Sequence, residues 1–277
     1  MPRIDLLVAV QRENANRYYK NLSAQPDYNV RIVSSVDDAM ETLADSERHV
    51  DVLVLDNSLT DVFDLVNDLR QTYPRLMIVI VDEEADFALP GHADDISTDP
   101  FTNDDLVRRI NRLMSDRQLE TLRADAMPPV REFAKKLRKA VGESGKQQAA
   151  VSACRDLGYD YVAFYRLESA DPLLVTLKAQ DGGAPLQAAA PKYASADDII
   201  GWVAQTGQSR IAGPQDELNH PLVRKQRLGA VVCVPVGITN RYGVLVACRE
   251  QVNSISNQNV MMLELISAQL AAVMSKE

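Results

Sequence analysis

The chain has 277 residues, 46% of them hydrophobic and 25% charged, with a formal net charge of −9. That length suits two domains, each able to bury a core of its own. Apolar runs such as Ile4–Val10 and Met77–Val81 fall far short of a membrane span, and the opening MPRIDLLVAV has no cleavage-site pattern, so the expected location is the cytosol.

The front half alternates strand and helix signals. Ile4–Val10 reads as a strand. Residues 13–24 carry Tyr18, Tyr19 and Leu22 at helical spacing. Tyr28–Val33 is a second strand and Val36–Leu43 a helix. Val50–Leu55 is a strongly apolar strand that runs into Asp56. Val62–Leu69 reads as a helix, Leu76–Val81 as a buried strand and Asp95–Thr98 as a short edge strand. Phe101–Met114 is a helix with Asn103 as its expected cap. This alternation predicts an α/β domain, a parallel sheet with helices on both faces. The helical pattern continues through Leu119 and Leu122. The double proline Pro128-Pro129 then ends it, placing a domain boundary at Ala126–Pro129.

The back half has a different rhythm. Val130, Phe133, Leu137 and Val141 recur at helical spacing, and Lys146–Leu157 is a second helix. Tyr159–Leu167 and Leu173–Lys178 read as strands, and Asp197–Gln205 as a short helix ending at Thr206-Gly207. Val231–Val236 and Tyr242–Cys248 are apolar strands joined by the turn-rich Gly237–Arg241. Ser256–Met274 is a final long helix. Hairpin strands between terminal helices predict an α+β domain with an antiparallel sheet.

Charge divides along the same line. Residues 1–125 carry 25 acids and 13 bases, net −12, and residues 126–277 carry 14 acids and 17 bases, net +3. An acidic front half does not suit a phosphate backbone, so no nucleic-acid binding is expected there. The three cysteines, Cys154, Cys233 and Cys248, form no disulfide framework. His49, His92 and His220 are far apart, with no metal-ligand spacing. Neither a metal nor a cofactor is expected.

Residues 1–118 resemble a response-regulator receiver domain, a five-stranded, doubly wound, flavodoxin-like fold. Asp56, closing Asp51-Val-Leu-Val-Leu55, matches that family's phospho-acceptor. Gln11 and Arg12 stand where the resemblance expects the acidic pair that binds Mg²⁺. Ala93–Phe101 parallels the run into Lys-Pro-Phe, with Asp99 at the lysine and Pro100 and Phe101 kept. Ile96 aligns with the switch aromatic, and Asp82 falls near the Thr/Ser position. Phosphoryl transfer needs cations to neutralise charge developing on the phosphate oxygens. A like charge within about 4 Å costs on the order of 4 kcal/mol at an effective dielectric of 20. Asp56 is therefore expected to be a vestigial acceptor, unless Arg12 turns towards it. The stretch between Asp82 and Asp99 is short, implying a reduced fourth helix.

Residues 130–277 resemble a GAF domain, a sensor and dimerisation module, most clearly in Ile200-Gly-Trp-Val-Ala-Gln-Thr-Gly207. The resemblance offers Tyr165, Trp202 and His220 as candidate pocket residues. Each also has a plain packing reading. Gly142-Glu-Ser-Gly-Lys146 resembles a phosphate-binding loop, but Ala140 and Gln147 break the motif. It is read as a loop. Leu263, Ile266, Leu270 and Val273 on the last helix, and Leu106, Ile110 and Leu113 before a break at Ser115–Arg117, have a spacing suited either to a seam between copies or to internal packing. The expected whole is a non-enzymatic two-component signalling regulator: a pseudo-receiver (1–118), a helical linker (119–129) and a GAF domain (130–277). The expected partners are a second copy, a signalling protein and a possible small GAF ligand, with no membrane. The alternative is a phosphorylation-competent regulator using Asp56 with an altered metal site.

Overall fold

The computed structural model describes residues 3–45, 48–60, 62–85, 93–125, 128–237 and 240–275. The chain divides into two compact units, one of Met1–Arg70 and Arg75–Leu119, the other of Gln71–Pro74 and Glu120–Glu277.

The first unit runs β1 (Ile4–Ala9), α1 (Arg12–Leu22), β2 (Tyr28–Val33), α2 (Val36–Ala44), β3 (Val52–Asp56), α3 (Val62–Thr72), β4 (Met77–Val81), β5 (Asp95–Ser97) and α4 (Asp105–Asp125). Its five strands are parallel in the order β2-β1-β3-β4-β5. Alternation along each strand divides the side chains between two faces. Leu6, Val8, Val52, Val54, Met77 and Val79 meet Tyr18 and Leu22 of α1 and Leu106 and Ile110 of α4. Leu7, Ala9, Leu53, Leu55, Ile78 and Ile80 take the opposite face and have no exposed surface, and Ala39, Leu43, Val66 and Leu69 of α2 and α3 are buried as well. A buried Leu or Ile contributes about 1.5–3 kcal/mol, so this sheet is held by its two apolar faces.

Asn103 does not cap α4. It has left-handed backbone angles, φ 51° and ψ 35°, inside a short 3-10 turn, Thr102–Asp104. Asp105 opens the helix instead, and its Oδ2 accepts from Ser97 Oγ at 2.8 Å and Arg109 Nε at 2.6 Å. Arg109 and Arg112 both pair with Asp95, which fastens β5 to α4. The expected break at Ser115–Arg117 is absent, since α4 continues to Asp125. The segment expected to hold a reduced fourth helix lies mostly in 86–92, outside the described residues, as do His92 and positions 126 and 127 of the proposed boundary.

The second unit runs α5 (Pro128–Lys139), α6 (Gly142–Asp156), β6 (Tyr161–Ala170), β7 (Leu173–Gly182), α7 (Ala184–Ala189), β8 (Tyr193–Ala194), α8 (Ile199–Thr206), β9 (Arg210–Ala212), α9 (Pro221–Arg224), β10 (Ala230–Val236), β11 (Gly243–Arg249) and α10 (Asn257–Met274). The sheet is antiparallel in the order β8-β7-β6-β11-β10-β9. Phe133, Leu137, Val151, Cys154, Leu263, Ile266 and Leu270 from α5, α6 and α10 pack on Val162, Phe164, Val232, Val234, Leu245 and Ala247 of the sheet. Pro128 starts α5, where a missing N–H costs nothing.

Two further expectations are corrected here. Gly142–Lys146 is the first turn of α6 rather than a loop. Val141 lies beyond α5 and is 88% exposed, because Gly142 takes a positive φ of 69° and turns the chain. Of the two readings left open for the apolar rows, internal packing holds for Leu263, Ile266 and Leu270, and for Leu106 and Ile110 in the first unit.

α8 begins at Asp198, whose carboxylate accepts from Gly201 N at 2.9 Å, and ends at Gly207 with φ 71°. Gly201 is required by close approach, since a Cβ there would lie 1.9 Å from the Ser195 carbonyl oxygen. Intrinsic helix propensity favours Ala at this position. The backbone clash is expected to win, so Gly201→Ala should destabilise the second unit by about 1–3 kcal/mol in chemical denaturation.

Candidate functional site

In a parallel sheet covered on both faces, polar groups collect beyond the carboxyl ends of the strands, at the point where strand order reverses. Here that point lies between β1 and β3. A cleft of about 380 Å³ opens beside it, lined by Asn14, Arg17 and Tyr18 of α1, Asp56, Asn57 and Ser58 at the end of β3, Val81–Glu84 after β4, and Phe101.

Asp56 lines the cleft, half-buried. Tyr18 Oη donates to its Oδ2 at 2.5 Å, and Ser58 N donates to its Oδ1 at 2.9 Å. Both carboxylate oxygens thus already serve protein donors. Tyr18 is 1% exposed. Burial, and then the Asp56 carboxylate, push its phenol far above the usual tyrosine range, so it stays a neutral donor. The Phe101 ring stands edge-on to Tyr18 at 4.9 Å, and the Arg17 guanidinium lies 4.0 Å over Phe101.

The other expected site residues divide. Asp82 does line the cleft, and its Oδ1 accepts from Glu84 N at 3.0 Å. Arg12 does not turn to Asp56, because its Nε lies 3.5 Å from Ser34 Oγ at the end of β2. Gln11 lies in a neighbouring crevice with Ser34, Ser35 and Thr60, where its Nε2 donates to Ser58 O at 2.6 Å. Asp99 is exposed and absent from the lining of the Asp56 cleft, where Phe101 stands instead. Ile96 pairs with Ile80 within the sheet, half-buried. Tyr18 is the important residue the sequence reading passed over. Its helical spacing with Leu22 marked it as core, and nothing local signalled that its hydroxyl reaches across 38 positions to Asp56. Among the described residues, no group of three or more His, Cys, Asp or Glu is placed to hold a metal ion.

In the second unit, the sheet face turned from α5, α6 and α10 carries Tyr161, Tyr165, Cys233 and Cys248, all fully buried. The Tyr165 hydroxyl donates to Pro191 O at 2.8 Å and that of Tyr161 to Gln180 Oε1 at 3.0 Å. Burial raises both phenols and both thiols, so none is an ionised nucleophile near neutral pH. His220 lies 6.3 Å from Tyr161, ring centre to ring centre. Trp202, on α8, is 3% exposed and stacks under the Arg210 guanidinium at 4.8 Å. The structure therefore brings Tyr165 and His220 to one face beside Tyr161, while Trp202 faces Arg210.

Residues 147–275 match the model of the GAF domain family, and this segment is a GAF domain. Among solved structures, the chain is similar to the GAF domain of a phosphoenolpyruvate-protein phosphotransferase from Acinetobacter, at 19% identity and a TM-score of 0.45, over 53% of this chain and 91% of that one. The corresponding domain from Coxiella burnetii gives 15% identity and the same TM-score, over 53% and 91%. A free methionine-R-sulfoxide reductase from Neisseria meningitidis, in complex with its substrate, gives 14% identity and a TM-score of 0.45, over 52% and 84%. No curated protein matches the chain.

His220 supplies a pH test of the GAF fold. It is fully buried, its Nδ1 accepts from Leu222 N at 3.2 Å, and its Nε2 has no protein partner. Burial pushes its pKa down from 6.5 to about 3. Protonation therefore favours the unfolded chain, and the stability held above pH 6.5 is lost as pH falls towards 3. Trp202, the only tryptophan, reports unfolding of this unit. In urea titrations followed by its fluorescence, wild type should lose up to about 1.4 kcal/mol per pH unit from this one group across that window. His220→Asn, which keeps a helix-capping side chain, should flatten the slope.

Proposed function

We propose that the protein is a non-enzymatic signalling regulator whose first unit is a pseudo-receiver docking module and whose GAF domain acts chiefly as a dimerisation element, in the cytosol. The observation that carries the first half is the occupation of both Asp56 oxygens by Tyr18 and Ser58. Three further carboxylates, Asp82, Glu83 and Glu84, share the cleft. Among the described residues Arg17 is the one basic side chain of the lining, and it lies over the Phe101 ring, so an incoming phosphoryl group would meet four carboxylates against a single guanidinium, where such a transfer needs cations to neutralise it. The expected test is incubation of the full chain with acetyl phosphate and Mg²⁺, then intact mass. The protein should remain unmodified. A phosphoryl adduct that disappears in Asp56→Asn would establish the phosphorylation-competent reading instead.

Two observations favour dimerisation over ligand sensing in the GAF domain. The sheet face that would line a pocket is closed by Tyr161, Tyr165 and His220, each with no exposed surface. The outer side of α10 presents Met261, Leu265, Ala268 and Ala272 at 4-3-4 spacing, and Glu264 is the only charge on the helix. Val130 of α5 already covers Leu265, leaving Ala268 and Ala272 exposed on a smooth flank against which a second copy can pack. Native mass spectrometry should show a ligand-free dimer that Ala268→Glu converts to monomer. A wild-type monomer, or one carrying a bound small molecule, would return the domain to the sensor reading.

A further inference from the structure

Gln11, standing where the receiver resemblance expects an acid, and Tyr18 look unrelated in sequence, yet each binds one member of a bonded pair, Ser58 and Asp56. Gln11 Nε2, just beyond β1, donates to the Ser58 carbonyl at 2.6 Å. Ser58 N donates to Asp56 Oδ1 at 2.9 Å, and Tyr18 Oη, on α1, donates to Asp56 Oδ2 at 2.5 Å. The flanking amides are bound too, Asn57 N to Val81 O at 2.8 Å and Leu59 N to Asp56 O at 3.1 Å.

We infer that Gln11, Ser58, Asp56 and Tyr18 form a clasp that holds the loop after β3 in a single state, with the protein's own donors as its permanent ligands. The residue types fit this role. An ionised acid at position 11 is an acceptor only and makes no bond to a carbonyl, whereas a glutamine amide donates. Tyr18 is held from behind by Phe101, itself covered by Arg17, so the hydroxyl has little freedom to leave. Asp56 suits this position because a carboxylate accepts from two donors at once. The loop offers any partner a constant surface, and substitutions at Asp56 act by opening the clasp.

The inference rests on the pseudo-receiver reading in one respect, that Asp56 is not a phosphoryl acceptor. The test separates the two. Hydrogen exchange is measured on the full chain for wild type, Tyr18→Phe, Gln11→Glu, Asp56→Ala and Tyr18→Phe/Asp56→Ala. Loss of a hydrogen bond to a charged group should speed exchange of the Asn57, Ser58 and Leu59 amides about tenfold in Tyr18→Phe. Gln11→Glu should shift the same amides in the same direction. Tyr18→Phe should add nothing in the Asp56→Ala background, because Tyr18 acts through Asp56. Wild-type exchange in Tyr18→Phe would overturn the clasp. So would an additive effect in the double variant, or an equal rise throughout β1 and β3. A wild-type adduct with acetyl phosphate would instead sink the docking reading, whatever the exchange rates.

Discussion

A sheet buried on both faces has no room for polar side chains along its strands, and much of the first unit follows from that. Past Asp5, β1 is apolar, as are β3 up to Asp56 and β4 throughout, so polar side chains resume at the carboxyl ends or just beyond them. Gln11, Asp56 and Asp82 are those side chains. Parallel pairing then aligns the ends, with Asp56 opposite Val81 and one residue before the polar turn at Asp82. The cleft is thus a consequence of burial. What fills it depends on the loops and on α1.

The GAF domain meets the same constraint with an antiparallel sheet. One face is given to α5, α6 and α10, and alternation forces Tyr161, Tyr165, Cys233 and Cys248 to the other. Burying a hydroxyl costs less where it is bonded, and for Tyr165 and Tyr161 the acceptors are Pro191 O and Gln180 Oε1. Asp198, also buried, is likewise used, as the cap of α8 and a hydrogen-bond acceptor for Ser195 N. His220 has one buried nitrogen satisfied and the other without a protein partner. Tyr161, Tyr165, Cys233, Cys248 and His220 on that side have no exposed surface.

Elements with clear apolar spacing or capping residues were legible in the sequence. β2 at Tyr28–Val33 and the ends of α8 and α10 coincide with their reading to within two residues, because apolar spacing and capping residues act locally. Short elements escaped it: α7, β8, β9 and α9 span six residues or fewer and owe their form to neighbours. Val141 and Asn103 misled for a related reason. Each fits a helical pattern by spacing or residue type, but the backbone leaves the helix there, at Gly142 in one case and in a left-handed 3-10 turn in the other. The apolar rows on α4 and α10 were legible as rows, but spacing alone does not say whether a row faces its own sheet or another chain.

The sequence by itself determined the two fold classes, the acidic character of the front half and the position of Asp56 at the end of an apolar strand. These depend on composition and on periods of two and 3.6 residues, which are properties of the chain near each residue. Only the tertiary structure decided what Asp56 touches. Tyr18 and Asp56 lie 38 positions apart, Gln11 and Ser58 47, and their bonds exist because strand order places β1 beside β3 and α1 packs on the face those strands share. It also turned Arg12 towards Ser34 and put Phe101, not Asp99, in the cleft. A hydrogen bond needs its partners within about 3 Å, and no local pattern encodes a distance between residues that folding alone brings together.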